Sequence, residues 1–176
     1  MRHKSFGEMQ CGIARSLERV GEWWSILILR DAFQGLSRFG EFQASLGIAP
    51  NMLSRRLNDL VEAGLLARRQ YQANPPRDEY VLTELGRDFR PVLWALMAWG
   101  NKHFAPEGHA VDLVDARTGT VVEPILVDRL SGRPLVAPDF ETIAGPAANA
   151  QVRARQAFAK ARRARQESMI EDGAEP

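Results

Sequence analysis

The run Arg38-Phe39-Gly40-Glu41-Phe42-Gln43-Ala44-Ser45-Leu46-Gly47-Ile48-Ala49-Pro50-Asn51-Met52-Leu53-Ser54-Arg55-Arg56-Leu57-Asn58-Asp59-Leu60-Val61-Glu62-Ala63-Gly64 decides the fold, together with the segment that follows it to Thr83. A short amphipathic piece over residues 38–46 meets a tight turn at Gly47-Ile48-Ala49-Pro50. The next stretch is predicted to be a helix from Pro50 to Ala63. Pro suits a first helical position, and Gly64 suits the position just past the end. Leu53, Leu57, Leu60 and Val61 repeat at helical spacing and define one buried face. A turn of about 100° per residue places Asn51, Arg55, Asn58 and Glu62 opposite, with Ser54 on the flank. Leu65 to Tyr71 reads as a strand, Pro75-Pro76 as a turn, and Glu79 to Thr83 as a second strand.

Two helices joined by a tight turn and followed by a hairpin make a winged helix-turn-helix. The exposed N-terminal half of the second helix carries Asn51, Ser54 and Arg55. Arg suits guanine, Asn suits adenine, and Ser bonds to either kind of base edge. Such a helix enters the major groove by its N-terminal end. Taken alone it reads equally as an ordinary surface helix. The hairpin adds Arg68 and Arg69 on its first strand and Arg77 in its turn, which suits a wing on the DNA backbone or minor groove. Arg38 and Arg56 join these three as expected phosphate or minor-groove contacts.

Upstream, Ile13, Leu17 and Val20 share helical spacing, and Trp23 to Phe33 reads as a helix buried on most sides. The first ten residues are polar and expected to be mobile. Downstream, Glu84 to Lys102 reads as one helix with a broad apolar arc: Leu85, Phe89, Val92, Leu93, Leu96, Met97 and Trp99. Thr83 with Gly86 forms a capping signal, and Pro91 in the interior is expected to kink the helix or break a hydrogen bond. The arc is broader than one small domain needs, so part of it is expected to pack on a partner subunit beside the Cys11–Val20 helix; the alternative is that all of it is internal core.

These residues resemble the HxlR-type winged-helix regulators of bacteria, within the MarR-like winged-helix superfamily. The resemblance rests on Cys11-Gly12-Ile13-Ala14, Val20-Gly21, Trp24 to Asp31, Arg38-Phe39-Gly40-Glu41, Gly47-Ile48, Leu53 to Leu57, Gly64-Leu65-Leu66, Pro75 to Gly86 and Trp99-Gly100, in unbroken order. It implies a DNA-binding transcription factor acting as a homodimer on an imperfect palindrome, with a small-molecule effector among the expected partners. It also implies that Cys11, which matches an early cysteine used by some members to sense oxidants, is a candidate redox sensor. Basic neighbours such as Arg15 would favour its thiolate; the alternative is a buried, inert thiol. Two departures stand out. The family usually has Ser or Thr where Ala49 stands at the cap of the recognition helix, which removes a side-chain cap worth about 1 kcal/mol. It often has Pro where Gly12 stands.

Residues 106–145 repeat themselves. Leu113-Val114-Asp115-Ala116-Arg117-Thr118-Gly119 is echoed by Leu126-Val127-Asp128-Arg129-Leu130-Ser131-Gly132. Each copy reads as a short hairpin with Gly at the turn. The pair resembles the knuckles of a zinc ribbon, with Asp115, Thr118, Asp128 and Ser131 in the ligand positions. Two carboxylates and two hydroxyls make a poor zinc site, so no metal is expected. Gly145-Pro146 reads as a linker. The Ala- and Arg-rich run to Gln166 has Ala150, Ala154, Ala157, Ala161 and Ala164 on one narrow stripe. It reads as a packed helix, a basic arm on DNA or a solvated tail.

The organisation expected is therefore mainly α with a β-hairpin wing, plus a small β-rich C-terminal appendage and a basic terminal helix or tail. Residues 1–105 form the DNA-binding and dimerisation domain, 106–146 the appendage and 147–176 the tail. The 176 residues carry a formal net charge of +1, unevenly placed. Residues 1–105 are net +3, 106–150 net −4, 151–166 carry six basic and no acidic side chains, and the last ten carry four acidic ones. Local basic patches on a near-neutral chain fit a regulator better than a bulk nucleic-acid packager. The lone Cys11 excludes an internal disulfide and fits a reducing cytoplasm. No signal peptide and no apolar run of spanning length is read. Only His3, His103 and His109 are available for catalysis, and no phosphate loop or metalloprotease motif is present, so an enzyme is not expected and no cofactor is implied. The rival reading is a winged helix that binds protein or RNA without operator recognition.

Overall fold

The computed structural model describes residues 5–6 and 8–172, with side chains to Gln166. The expectations for the first ten residues that fall on positions 1–4 and 7, His3 among them, lie outside these. Ser5 and Phe6 are tied down: the Ser5 hydroxyl and the Phe6 N–H donate to the two Glu18 carboxylate oxygens at 2.8 and 2.7 Å. Two compact units divide the chain between Ile125 and Leu126, with Glu8–Gly12 belonging to the second.

In the first unit, α1 (Gly12–Val20) and α2 (Trp23–Phe33) precede the helix-turn-helix, α3 (Phe39–Leu46) and α4 (Pro50–Glu62). The wing is β1 (Leu66–Ala73) paired antiparallel with β2 (Pro76–Leu82), each strand longer than predicted and turning at Asn74-Pro75. Ile28, Leu29, Phe42, Leu53, Leu57, Leu60 and Leu66 form a core with almost no exposure. Each such side chain contributes about 1.5–3 kcal/mol over its exposed state. The Leu53–Leu57–Leu60 face is thus buried as the periodicity predicts. Trp23 on α2 is three-quarters exposed, while Ser25 and Asp31 on the same helix are buried.

The single helix predicted over 84–102 is two. A short α5 (Glu84–Arg87) ends at Asp88, and α6 (Arg90–Phe104) begins just before Pro91. In a helix interior Pro91 would lose a hydrogen bond and clash one turn back. Within the first turn its missing N–H has no partner to lose, so the chain restarts there. The Thr83 cap is real, its hydroxyl accepting from the Gly86 N–H at 3.0 Å and donating to the Gly64 carbonyl at 2.6 Å. Gly86 is obligatory, because a Cβ there would lie 2.1 Å from the Leu65 carbonyl oxygen.

The appendage is not β-rich. Each hairpin holds one isolated bridge, Val114 with Val121 in the first unit and Val127 with Pro134 in the second. The repeat is nonetheless faithful in its hydrogen bonds. Asp115 N–H to Thr120 O, Val122 N–H to Leu113 O and Gly119 N–H to Asp115 O recur 13 residues later at Asp128, Leu135 and Gly132. Gly119 and Gly132 sit at φ of 71° and 70°, where other residues are strained. Extended ladders fail because Pro124, Pro134 and Pro138 lack the N–H a strand requires. The Asp115 carboxylate accepts from the Arg117 and Thr118 N–H groups, and that of Asp128 from the Ser131 N–H and hydroxyl. These bonds hold the Asp128 carboxyl below its ordinary range. The oxygens that stand in zinc-ligand positions are spent inside their own turns.

The Ala- and Arg-rich run is α7 (Ala150–Asp172), capped where the Asn149 side chain accepts from the Val152 N–H at 2.9 Å. Its half-buried stripe is Val152, Gln156, Ala159 and Arg163, and the alanine stripe is exposed. Within the second unit Arg163 pairs with Glu141 at 2.6 Å, and this pairing favours the Arg163 side of the helix.

Candidate nucleic-acid interface

The geometry of the interface starts at the entry to α3. The Glu41 carboxylate accepts from the Ser37 and Arg38 N–H groups, both at 2.9 Å, satisfying donors that the helix cannot. Those two bonds, in that order, hold Glu41 below the ordinary glutamate range. Gly47, at φ 60°, closes α3 with its N–H on the Gln43 carbonyl. The chain then turns into α4 through Ala49, which caps the helix with no side-chain bond, as the departure from the family pattern predicts.

Asn51, Ser54 and Arg55 are all exposed on the first turns of α4, with Met52 beside them. Met52 was not singled out, and its apolar side chain gives no polar signal to find it by. Arg55 has no ion pair or side-chain hydrogen bond among the described residues, so its guanidinium is uncommitted.

Arg56 is placed differently from its neighbour. Its side chain is 10% exposed and pairs with Asp59 at 2.8 Å and Glu22 at 3.4 Å. It sits at the edge of the leucine face and joins α4 to the start of α2. Its assignment to DNA phosphates thus falls on a largely buried guanidinium that already pairs with two carboxylates, with Nε left without a hydrogen-bond partner.

The wing is built onto this unit by contacts far apart in sequence. The Tyr80 N–H donates to the Ser37 carbonyl at 2.7 Å, and Arg38 bridges Glu79, so residues 37–38 act as a short third strand against β2. The Arg38 guanidinium lies 4.4 Å from the centre of the Tyr71 ring, at the point where β1 bulges between Gln70 and Gln72. Arg68 donates to the Asn58 side chain at 2.8 Å, tying the wing to α4. Arg69, directly across from Glu79, bonds it at 2.7 Å, and the Ser37 hydroxyl adds a bond at 3.1 Å. The Arg69 bond is the main reason Glu79 is held below the ordinary glutamate range. Arg77 lies on β2 opposite Gln72 rather than in the turn, exposed and without a side-chain partner among the described residues.

The structure thus brings an exposed polar helix face bearing Arg55 and four wing or entry arginines, Arg38, Arg68, Arg69 and Arg77, into one compact unit. The ties through Asn58 and Ser37 were not legible in the sequence, because they join residues 10 and 42 positions apart. Cys11 is half-buried, and the chain has no second cysteine. No helix among the described residues is long and apolar enough to cross a membrane. No cluster of three or more His, Cys, Asp or Glu suited to a metal occurs among them either.

Comparison with known proteins agrees with this geometry. The HxlR-like helix-turn-helix pattern matches residues 19–108. The HTH-type transcriptional regulator Rv3095 of Mycobacterium tuberculosis, itself uncharacterised, is 40% identical over 151 residues, covering 85% of this chain and 94% of that protein. The candidate transcription factor PA1374 of Pseudomonas aeruginosa is 56% identical with a TM-score of 0.61, over 82% of this chain and 99% of that one. A second candidate transcription factor, PA1607, is 40% identical with a TM-score of 0.73, over 81% of this chain and 100% of that one. These spans include much of the sequence beyond residue 108, so the appendage is shared with some relatives. The family and these relatives are transcriptional regulators, not enzymes. An uncommitted arginine on the second helix of a helix-turn-helix, a basic wing docked beside it, and a family match over half the chain lead to one conclusion: the chain is a transcriptional regulator of the HxlR-like helix-turn-helix family, with a winged-helix DNA-binding domain.

Proposed function

We propose that this regulator binds double-stranded operator DNA sequence-specifically, as a homodimer, in the cytoplasm. Arg55 is the observation that carries the reading: it is exposed on the first turns of α4 and has nothing to release before meeting a base. Asn51 and Ser54 complete the reading face, and Arg38, Arg68, Arg69 and Arg77 hold the backbone or the minor groove. Arg38, Arg68 and Arg69 are pre-positioned by Tyr71, Asn58 and Glu79, which lowers the entropy lost on binding.

The dimer reading rests on exposed apolar surface. Ile13 and Leu17 on α1 and Val92, Leu96 and Trp99 on α6 are between 45% and 74% exposed, and α6 buries none of its residues within this chain. Large apolar side chains left exposed on two helices point to an interaction site. A two-fold dimer reads a two-fold site. The operator is therefore an imperfect palindrome with half-sites about 34 Å apart or a multiple of that. A small-molecule signal acting on DNA affinity belongs to the same reading.

Footprinting of the purified protein on the DNA flanking its own gene, with sedimentation to fix the mass of the complex, tests this. Protection of two half-sites by two chains is the expected result. Protection by a single chain overturns the dimer, and salt-insensitive or absent binding by folded protein transfers the surface to a protein or RNA partner.

A further inference from the structure

The first unit contains a cleft of about 550 Å³ between α2, α6 and the segment 110–113. This lies within the size range of small-molecule sites, roughly 300–1,000 Å³. Its walls are apolar, with Ile26, Leu27, Leu93, Met97 and Leu113 among them, and Phe33 and Trp94 supply aromatic surface. The Asn101 side chain donates to the Val111 carbonyl at 3.1 Å and fixes the 110–113 segment as one wall.

Charge at the cleft selects what enters. The Arg90 guanidinium lies 4.7 Å from the centre of the Phe33 ring and 6.0 Å from that of Trp94. It has no carboxylate partner among the described residues. Arg30, also lining the cleft, holds Asp31 at 2.8 Å, and the one carboxylate in the lining, Asp112, faces His109 at 3.0 Å. A wholly apolar occupant would strip water from Arg90 and give nothing back, which is costly. An anion would pair with it, and charge-assisted hydrogen bonds are about twice as strong as neutral ones. An aromatic body matches Phe33 and Trp94 by ring contact.

The cleft lies largely on a different side of α6 from the surface read as the dimer contact. At about 100° per residue, Arg90, Trp94, Met97 and Asn101 share one stripe of α6, and Val92 and Trp99 lie about half a turn round. Leu96 stands between the two, at the edge of the cleft lining. We infer that the α2–α6 cleft is a binding site for a small aromatic anion, with Arg90 as its charge-recognising residue. The inference names the effector chemistry of the proposed regulator, but its test needs no DNA, so the failure of operator binding would leave it standing.

Two fluorescent probes test it on the full chain: anilinonaphthalene sulfonate, which is anionic, and phenylnaphthylamine, its neutral counterpart. Wild type is expected to bind both with one site per chain. Arg90→Gln should weaken the anionic probe by about tenfold or more and leave the neutral one within about twofold. Ala110→Trp, at an exposed lining position, should fill the cleft and abolish both. Leu130→Ala, at an exposed apolar position outside the cleft lining, should change neither. Circular dichroism and sedimentation establish that each variant keeps its fold and mass. Unchanged affinity for the anionic probe in Arg90→Gln, equal loss of both probes there, or persistence of both in Ala110→Trp overturns the inference. So does the absence of probe binding to wild type, which would mean that another part of the assembly fills the cleft.

Discussion

Replacing Arg55 with Ala separates base reading from backbone attraction. In the free protein Arg55 is exposed and makes no ion pair or side-chain hydrogen bond among the described residues, so the substitution should change stability by no more than about 0.5 kcal/mol. On the operator it removes one bidentate base contact per half-site, each worth about 1–3 kcal/mol. Two half-sites double this to about 2–6 kcal/mol, a loss of roughly 30-fold to 20,000-fold at about 1.4 kcal/mol per decade. Random DNA should lose far less, since no base contact is formed there. Arg69 is the contrast. It is already bonded to Glu79, and its contact with the backbone carries no sequence information directly. Arg69→Ala should weaken operator and random DNA alike and flatten the salt dependence by about 0.9 slope units per lost phosphate contact. Competition binding at matched salt, with operator and scrambled duplexes, measures both variants. If Arg55→Ala loses affinity equally for the two duplexes, α4 does not read bases through this residue, and the assignment of the recognition face is wrong.

Arg56→Met keeps the packing length but removes the pairs with Asp59 and Glu22. Because both carboxylates are about 40% exposed and remain hydrated, the cost in a urea melt should be about 1–2 kcal/mol, with operator preference unchanged; a selective loss of DNA affinity at full stability would return Arg56 to the interface. Gly86→Ala drives a methyl group into the Leu65 carbonyl and should cost more than about 3 kcal/mol, and a melting curve matching wild type would refute the close approach. Glu41 and Glu79 both have carboxyls lowered by their hydrogen bonds, so their contribution to stability is complete above about pH 4.3 and is lost as pH falls through the lowered values. Glu79→Gln should therefore flatten the fall in urea midpoint below that pH, and an unaltered slope would mean that the Arg69 bond does not persist in solution. If Cys11 senses oxidants, mild oxidant should shift the DNA affinity of wild type and not of Cys11→Ser; identical curves in all arms would leave the thiol a packing residue.

Local patterns were enough to place most of the elements. Pro50 and Gly64 bracket α4, the Leu53–Leu57–Leu60 spacing selects its buried face, and the Thr83–Gly86 cap starts α5 where the structure has it. These signals act within about one helical turn, where spacing alone sets which side chains are neighbours. The thirteen-residue repeat was likewise visible, since each turn is closed by its own Asp and Gly. Tertiary packing decided what one element does to another. Periodicity puts Arg56 at the margin of the leucine face, and only the arrival of Glu22 on a separate segment turns that margin inward. The pairing of Ser37 and Arg38 with β2, and the Asn58–Arg68 tie, leave no periodic trace because their partners lie in other elements. On α7 the alanine stripe had the better spacing, yet Glu141 fixes a different side by its charge. Sequence by itself determined the helix-turn-helix. Which arginines keep an unpaired guanidinium was decided only when the carboxylates of other segments folded onto them, because an ion pair forms by proximity in space and not in sequence.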